Sequence, residues 1–215
     1  MKDGGRQNLM LYEGAAIVRG TESGNVVLEV LHDVLLITPQ LSGNNLDFGD
    51  LLWVRLFVDE TKQTSWNRMV VSEVTHHKKV GSCVAKPVGE SDFTYPINRA
   101  VMWINNVENF WIFGFEQMAP EGQIFEYEMQ FGMVENDIYP TVFLRSRRVN
   151  EVQGNNIFTY TDFGFDFTPF IKEYANLNTN TFTFRVRYLS GINADGSEIF
   201  TSFIQNPITV NIKQK

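Results

Sequence analysis

Apolar and polar residues alternate with a period of two through most of this sequence, most clearly in its second half. Phe163, Phe165 and Phe167 alternate in TDFGFDFTPF. Phe182, Phe184, Val186 and Tyr188 alternate in TFTFRVRYL, with Thr183, Arg185 and Arg187 between them. One apolar and one polar face at this period predict a half-buried β-strand rather than a helix. Because the rhythm recurs from end to end, the chain reads as an antiparallel, all-β protein whose sheets each keep one solvated face.

The strands fall into two groups. Residues 1–8 are polar and glycine-containing and read as a tether. LMLYEGAAIVRG then predicts a long strand, with Gly14 as a bulge or bend. VVLEVL and VLLITP follow, separated by His32-Asp33, as either a tight hairpin or one bent strand. LLWVRLFVDE and RMVVSEVTHHKKV complete a set of five over residues 9–85, the size of a small OB-like barrel. Residues 86–96 (KPVGESDFTYP) hold two prolines and no periodicity, and read as a linker. Residues 97–215 predict seven or eight longer, more aromatic strands, as in an antiparallel β-sandwich. One short helix is expected there, with Thr168 as N-cap and Pro169 at its first position.

Composition narrows the picture. Eighteen Phe and four Trp among 215 residues suit a two-sheet core, whose gap of about 10 Å is filled by large rigid side chains. A net charge of −7 argues against nucleic-acid binding, which draws its affinity from neutralising phosphates. Arg145, Arg147 and Arg148 are the local exception, and the first two are expected on a solvated sheet face. Cys83 is alone, so neither an internal disulfide nor a zinc ligand set is expected. No apolar run reaches the roughly 18 residues of a membrane helix.

The order of elements resembles that of the NigD-like proteins, an OB-type barrel followed by a β-sandwich. Gly49-Asp50 entering Leu51 to Val58 resembles that family's third barrel strand. Phe165-Asp166-Phe167-Thr168, a helical turn and the strand Phe182 to Tyr188 resemble its sandwich. The resemblance implies a secreted envelope lipoprotein, at the outer membrane, whose biochemical role is not established. It would touch the membrane only through a lipid anchor on a cysteine outside this sequence. It also leads us to expect an export segment ahead of the polar start.

Candidate chemistry is sparse. Asp-Phe-Gly occurs at residues 47–49 and 162–164 without the other parts of a kinase, and both copies read as turns. His76 and His77 are adjacent and point to opposite faces of a strand, which leaves one of them with His32 as a surface metal pair. Asn193, Asp195, Gly196 and Glu198 carry calcium-like oxygens, but Asp195-Gly196 suffices as a hairpin turn. Glu126 and Glu128 share one strand face about 7 Å apart, a spacing that an inverting glycosidase could use. Trp66 lies in the loop TKQTSWN, either exposed as a binding platform or folded back as a lid. Trp53, Trp103 and Trp111 lie within strands and read as core.

The preferred function is therefore a non-enzymatic module that binds a protein or glycan through surfaces such as Trp66, with no cofactor. The alternative is a carbohydrate-active hydrolase built on Glu126 and Glu128.

Overall fold

The computed structural model describes residues 8–30, 34–63, 65–102, 109–175 and 181–211. The chain divides into two compact units, the first running to Gly81 and also holding Asn109, and the second made of the other described residues from Ser82 onward. Each has its own hydrophobic core.

The first unit is a closed barrel of five strands in the order β1-β2-β3-β5-β4. These are β1 (Leu9–Glu22), β2 (Asn25–Val30), β3 (Val34–Thr38), β4 (Leu51–Asp59) and β5 (Arg68–Lys79). β3 and β5 run parallel and every other neighbour is antiparallel, so the barrel closes without an open edge. Leu52, Val54, Leu56 and Val58 alternate inward along β4 and meet Ala16, Val18, Leu28 and Leu36 in the core. Arg55, between them, is exposed.

Three local expectations change in the barrel. β2 and β3 pair antiparallel down to Val30 opposite Val34, which settles them as a hairpin. Gly14 lies opposite Val54 in unbroken register, and the irregularity falls instead between Val18 and Gly20. Gly20 has φ near +116°, a backbone that a residue with a Cβ rarely adopts, so the bend belongs there. The Gly49-Asp50 turn leads into the fourth barrel strand rather than the third.

The second unit is a sandwich of two sheets. One has four strands in the order β6 (Gly81–Val84), β12 (Asn156–Asp166), β9 (Phe110–Pro120) and β8 (Arg99–Met102). The other runs β14 (Glu198–Ser202), β13 (Thr181–Ile192), β11 (Thr141–Arg148), β10 (Phe125–Gly132) and β7 (Lys86–Pro87), with β15 (Ile208–Asn211) also on β13. The alternating phenylalanines fill the gap between them. Trp111 stacks on Phe167 at 4.9 Å and Phe115 on Tyr127 at 4.3 Å, while Phe113, Phe165, Phe170 and Phe184 have no solvent exposure. Each such ring withdrawn from water contributes roughly 1.5–3 kcal/mol before chain entropy is set against it.

Residues 86–96 lie on the second sheet: Lys86 and Pro87 pair with Gln130 and Phe131, and Tyr95 bridges to Ser146. The second Asp-Phe-Gly is not a turn. Asp162, Phe163 and Gly164 lie inside β12, opposite Gly114, Phe113 and Ile112. The helix α1 (Thr168–Tyr174) is capped at Phe167, not Thr168, and the Asp166 carboxylate accepts from the Thr168 amide at 2.8 Å. An acidic side chain can satisfy that free amide as well as a hydroxyl can.

Candidate functional site

Trp66 is 78% exposed and stands out from the loop after β4, so it is not folded back as a lid. Its neighbours fix the loop: Ser65 donates to Asn67 Oδ1 at 2.5 Å, and the Asn67 carbonyl accepts from Leu35 N at 2.9 Å. Trp111 is buried and Trp53 is partly buried. Trp103 and His32 lie outside the described residues, while His76 and His77 are both exposed.

The carboxylates Glu126 and Glu128 share the outer face of β10 but not an environment. Glu126 meets Arg147, directly opposite it on β11, with Nε and Nη2 at 2.8 and 2.7 Å from Oε2. Glu128 is 7% exposed, ion-paired with Lys86, and accepts from Ser91 Oγ at 2.7 Å and Gln130 Nε2 at 2.8 Å. Each carboxylate is held by its own cation.

That outer face is less wet than alternation predicts. Gln130 and Thr141 have no exposure, and Arg145 has 7%. Arg145 is bidentate to Glu198 of β14, which takes that carboxylate away from the hairpin's oxygen cluster. Asp195 Oδ1 accepts from the Ser197 amide and hydroxyl, as a hairpin turn requires. No group of three or more potential metal-ligating side chains occurs among the described residues.

Around Glu126 the second unit forms an open groove of about 550 Å³, lined by Asp92, Thr94, Tyr95, Glu126, Arg147, Arg148 and Val149. Its volume lies in the range of small-ligand clefts, but its walls are mainly polar. Arg147 bridges Glu126 and Asp92 while stacking 4.5 Å over Phe93. The hydrogen bonds it donates to Glu126, and then to Asp92, hold this guanidinium more firmly protonated than usual. Arg148 points to the other face, stacks 4.2 Å over Tyr95 and donates to its hydroxyl at 2.5 Å. The Tyr95 hydroxyl in turn donates to the Met118 carbonyl at 2.8 Å. Two clamped cations, two carboxylates with lone pairs to spare and aromatic edges suit a polar, many-hydroxyl or peptide ligand.

Glu126, Arg147 and Arg148 were named individually from the sequence, whereas Asp92, Phe93, Thr94 and Tyr95 were not, because they fall in the stretch 86–96 read as linker, which was expected to lie near a ligand groove without any of its residues being singled out. The alternation of Phe93 and Tyr95 across Thr94 was the available signal. Cys83 is partly buried in β6, its thiol 3.6 Å from the Tyr127 carbonyl, and burial pushes its pKa up to about 11. A thiol so placed is an inert structural residue rather than a nucleophile.

An OB-like barrel followed by a sandwich defines an architecture shared with solved proteins of the Bacteroides group. An uncharacterised protein of Parabacteroides merdae ATCC 43184 superposes with a TM-score of 0.71 at 14% identity, covering 94% of this chain and all of the other. A candidate lipoprotein of Bacteroides fragilis NCTC 9343 gives 0.62 at 12% identity, covering 95% and 99%. A NigD-like immunity protein of Bacteroides caccae ATCC 43185 gives 0.54 at 12% identity, covering 88% and 91%. The resemblance read from the sequence therefore holds at the level of the fold. No family model matches the sequence, and no curated protein matches it.

Proposed function

We propose that this chain is a non-enzymatic module of the cell envelope that binds a protein or glycan partner. The observation that carries the reading is the fate of Glu126 and Glu128, each neutralised by its own cation and only one of them lining the groove. A glycosidase pair must instead face one ligand, with one carboxyl free to protonate it. The features that would serve binding occur in both units: the exposed Trp66 on the barrel and the groove at Tyr95 and Arg148 on the sandwich. The envelope setting, at the outer membrane through a lipid anchor, is supported by the fold shared with a candidate lipoprotein and with a NigD-like protein.

The test is affinity capture from envelope extract together with a glycan array, using the parent chain, Trp66→Ala and Arg148→Ala. A ligand held by the parent and lost by either variant supports the reading and locates its surface. Turnover of any glycoside that disappears in Glu126→Gln would replace it with the hydrolase.

A further inference from the structure

Arg187 and Ser202 are directly opposite each other on the antiparallel strands β13 and β14. Side chains so placed share one face, with Cβ atoms about 4.5–5.5 Å apart. Arg187 is partly buried, and its Nε is wholly buried without a partner. No acceptor for this guanidinium occurs among the described residues. Every other described arginine meets a carboxylate or, for Arg148, a phenol. The Ser202 hydroxyl is exposed and likewise has no partner among the described residues, so a charged donor and a neutral donor stand side by side unused.

The surroundings define the charge this pair can take. On the same face Arg145 is neutralised by Glu198, and Arg185 by Asp137, whose carboxylate lies 2.8 Å from its Nε. Arg187 is thus one uncompensated positive charge in a neutralised array. Phe143 is its cross-strand neighbour on β11, and Phe200 packs edge-on against Phe143 at 5.1 Å. Phe143 thus sets an apolar side chain opposite Arg187 on the same face, and an ion pair formed beside apolar surface is strengthened.

We propose that Arg187 and Ser202 form a binding site for a single carboxylate group, carried by a free acid or an acidic sugar. The planar guanidinium matches the two carboxylate oxygens with two parallel N–H bonds, and the serine hydroxyl supplies a third. One charge fits a monoanion. A phosphate dianion would leave excess negative charge beside Glu198 and Asp137 in a chain already at −7. The site is independent of the groove at Arg147, and it specifies a ligand charge that the general binding reading does not.

The test follows the arginine Nε–H resonances of the full chain by NMR at constant ionic strength. Probes are sodium acetate and sodium glucuronate, with glucose and sodium chloride as controls. The Arg187 signal, identified by its loss in Arg187→Gln, should shift saturably with both carboxylates, at dissociation constants of about 0.1–10 mM, the range of single-contact ligands. Glucose and chloride should not move it. Ser202→Ala should weaken binding about threefold, the share of one hydrogen bond. Arg187→Lys, followed through the backbone amide of Ser202 opposite it because the arginine signal is gone, should weaken it about tenfold, because it keeps the charge and loses the fork. Preference for glucuronate would mark an acidic sugar as the source, and equal affinities a free acid. An equal response to chloride, no saturation with either carboxylate, or undiminished binding in Arg187→Lys and Ser202→Ala would overturn the proposal. The lysine and alanine variants keep the test decisive should Arg187→Gln not fold.

Discussion

The Tyr127 hydroxyl donates to Gln117 Oε1 at 2.7 Å, joining the two sheets of the sandwich through a buried hydrogen bond. Gln117 continues the chain from Nε2 to Ser146 Oγ at 2.6 Å, and Ser146 donates to the Tyr95 carbonyl at 2.8 Å. Tyr95 heads the groove, so a polar thread in an aromatic core ties the candidate site to the sheet behind it. Gln117→Leu keeps the volume and strands buried polar atoms on both sides. It should destabilise the sandwich by about 1–3 kcal/mol, seen as a lower urea midpoint at unchanged slope.

Burial raises the pKa of Tyr127 in the sandwich and of Tyr12 in the barrel, where the Tyr12 hydroxyl donates to the Ala15 carbonyl at 2.5 Å. Because both folded values lie above the unfolded value near 10, the unfolded chain releases these protons first. The stabilisation is therefore complete below about pH 10 and is lost as pH rises beyond it, by at most about 1.4 kcal/mol per pH unit for each phenol. Urea titrations at pH 9 and 11 should show the loss, and Tyr12→Phe should remove the barrel's share.

The Cys83 thiol, pushed up to about 11 by burial, should be almost wholly protonated at pH 8. Alkylation of the native chain should then run at least about 100-fold slower than alkylation in urea. Mass spectrometry of timed samples measures both rates. Fast modification of the native chain would show that β6 opens or that the thiol is activated.

Trp66 is so exposed that its removal should leave folding unchanged, within about 0.5 kcal/mol. Its emission should be red-shifted and readily quenched by acrylamide, and Trp66→Ala should delete that component alone. A loss of stability beyond this would mean that the ring packs on the barrel after all.

Gly114 in β9 lies under the Tyr160 ring, where an added Cβ would come within 1.9 Å of the phenol oxygen. Gly114→Ala must push the ring off the sheet and should cost about 1–3 kcal/mol. Pairing the change with Tyr160→Ala should relieve most of it, a coupling that a double-mutant cycle reads directly.

Period-two alternation by itself determined that this is an all-β protein and which side chains face inward. Phe182, Phe184 and Val186 turn into the core while Arg185 and Arg187 turn away, because successive residues of any strand point to opposite faces. Turn chemistry likewise determined the Asp195-Gly196 hairpin, which depends only on adjacent residues. What a local pattern does not contain is the identity of the neighbour across a sheet. Glu126 and Glu128 look equivalent in the sequence, yet one lies opposite Arg147 in an open groove and the other is sealed by Lys86, Ser91 and Gln130. Residues 86–96 show no sustained periodicity because they pair for only two residues, but the ladder they join supplies Tyr95 and Asp92 to the groove. Only the tertiary structure decided that Arg145 is matched by Glu198, 53 residues away, and that Arg187 is matched by no carboxylate among the described residues. Faces follow from the bond geometry of one strand, whereas charge pairing depends on which strands the chain brings together.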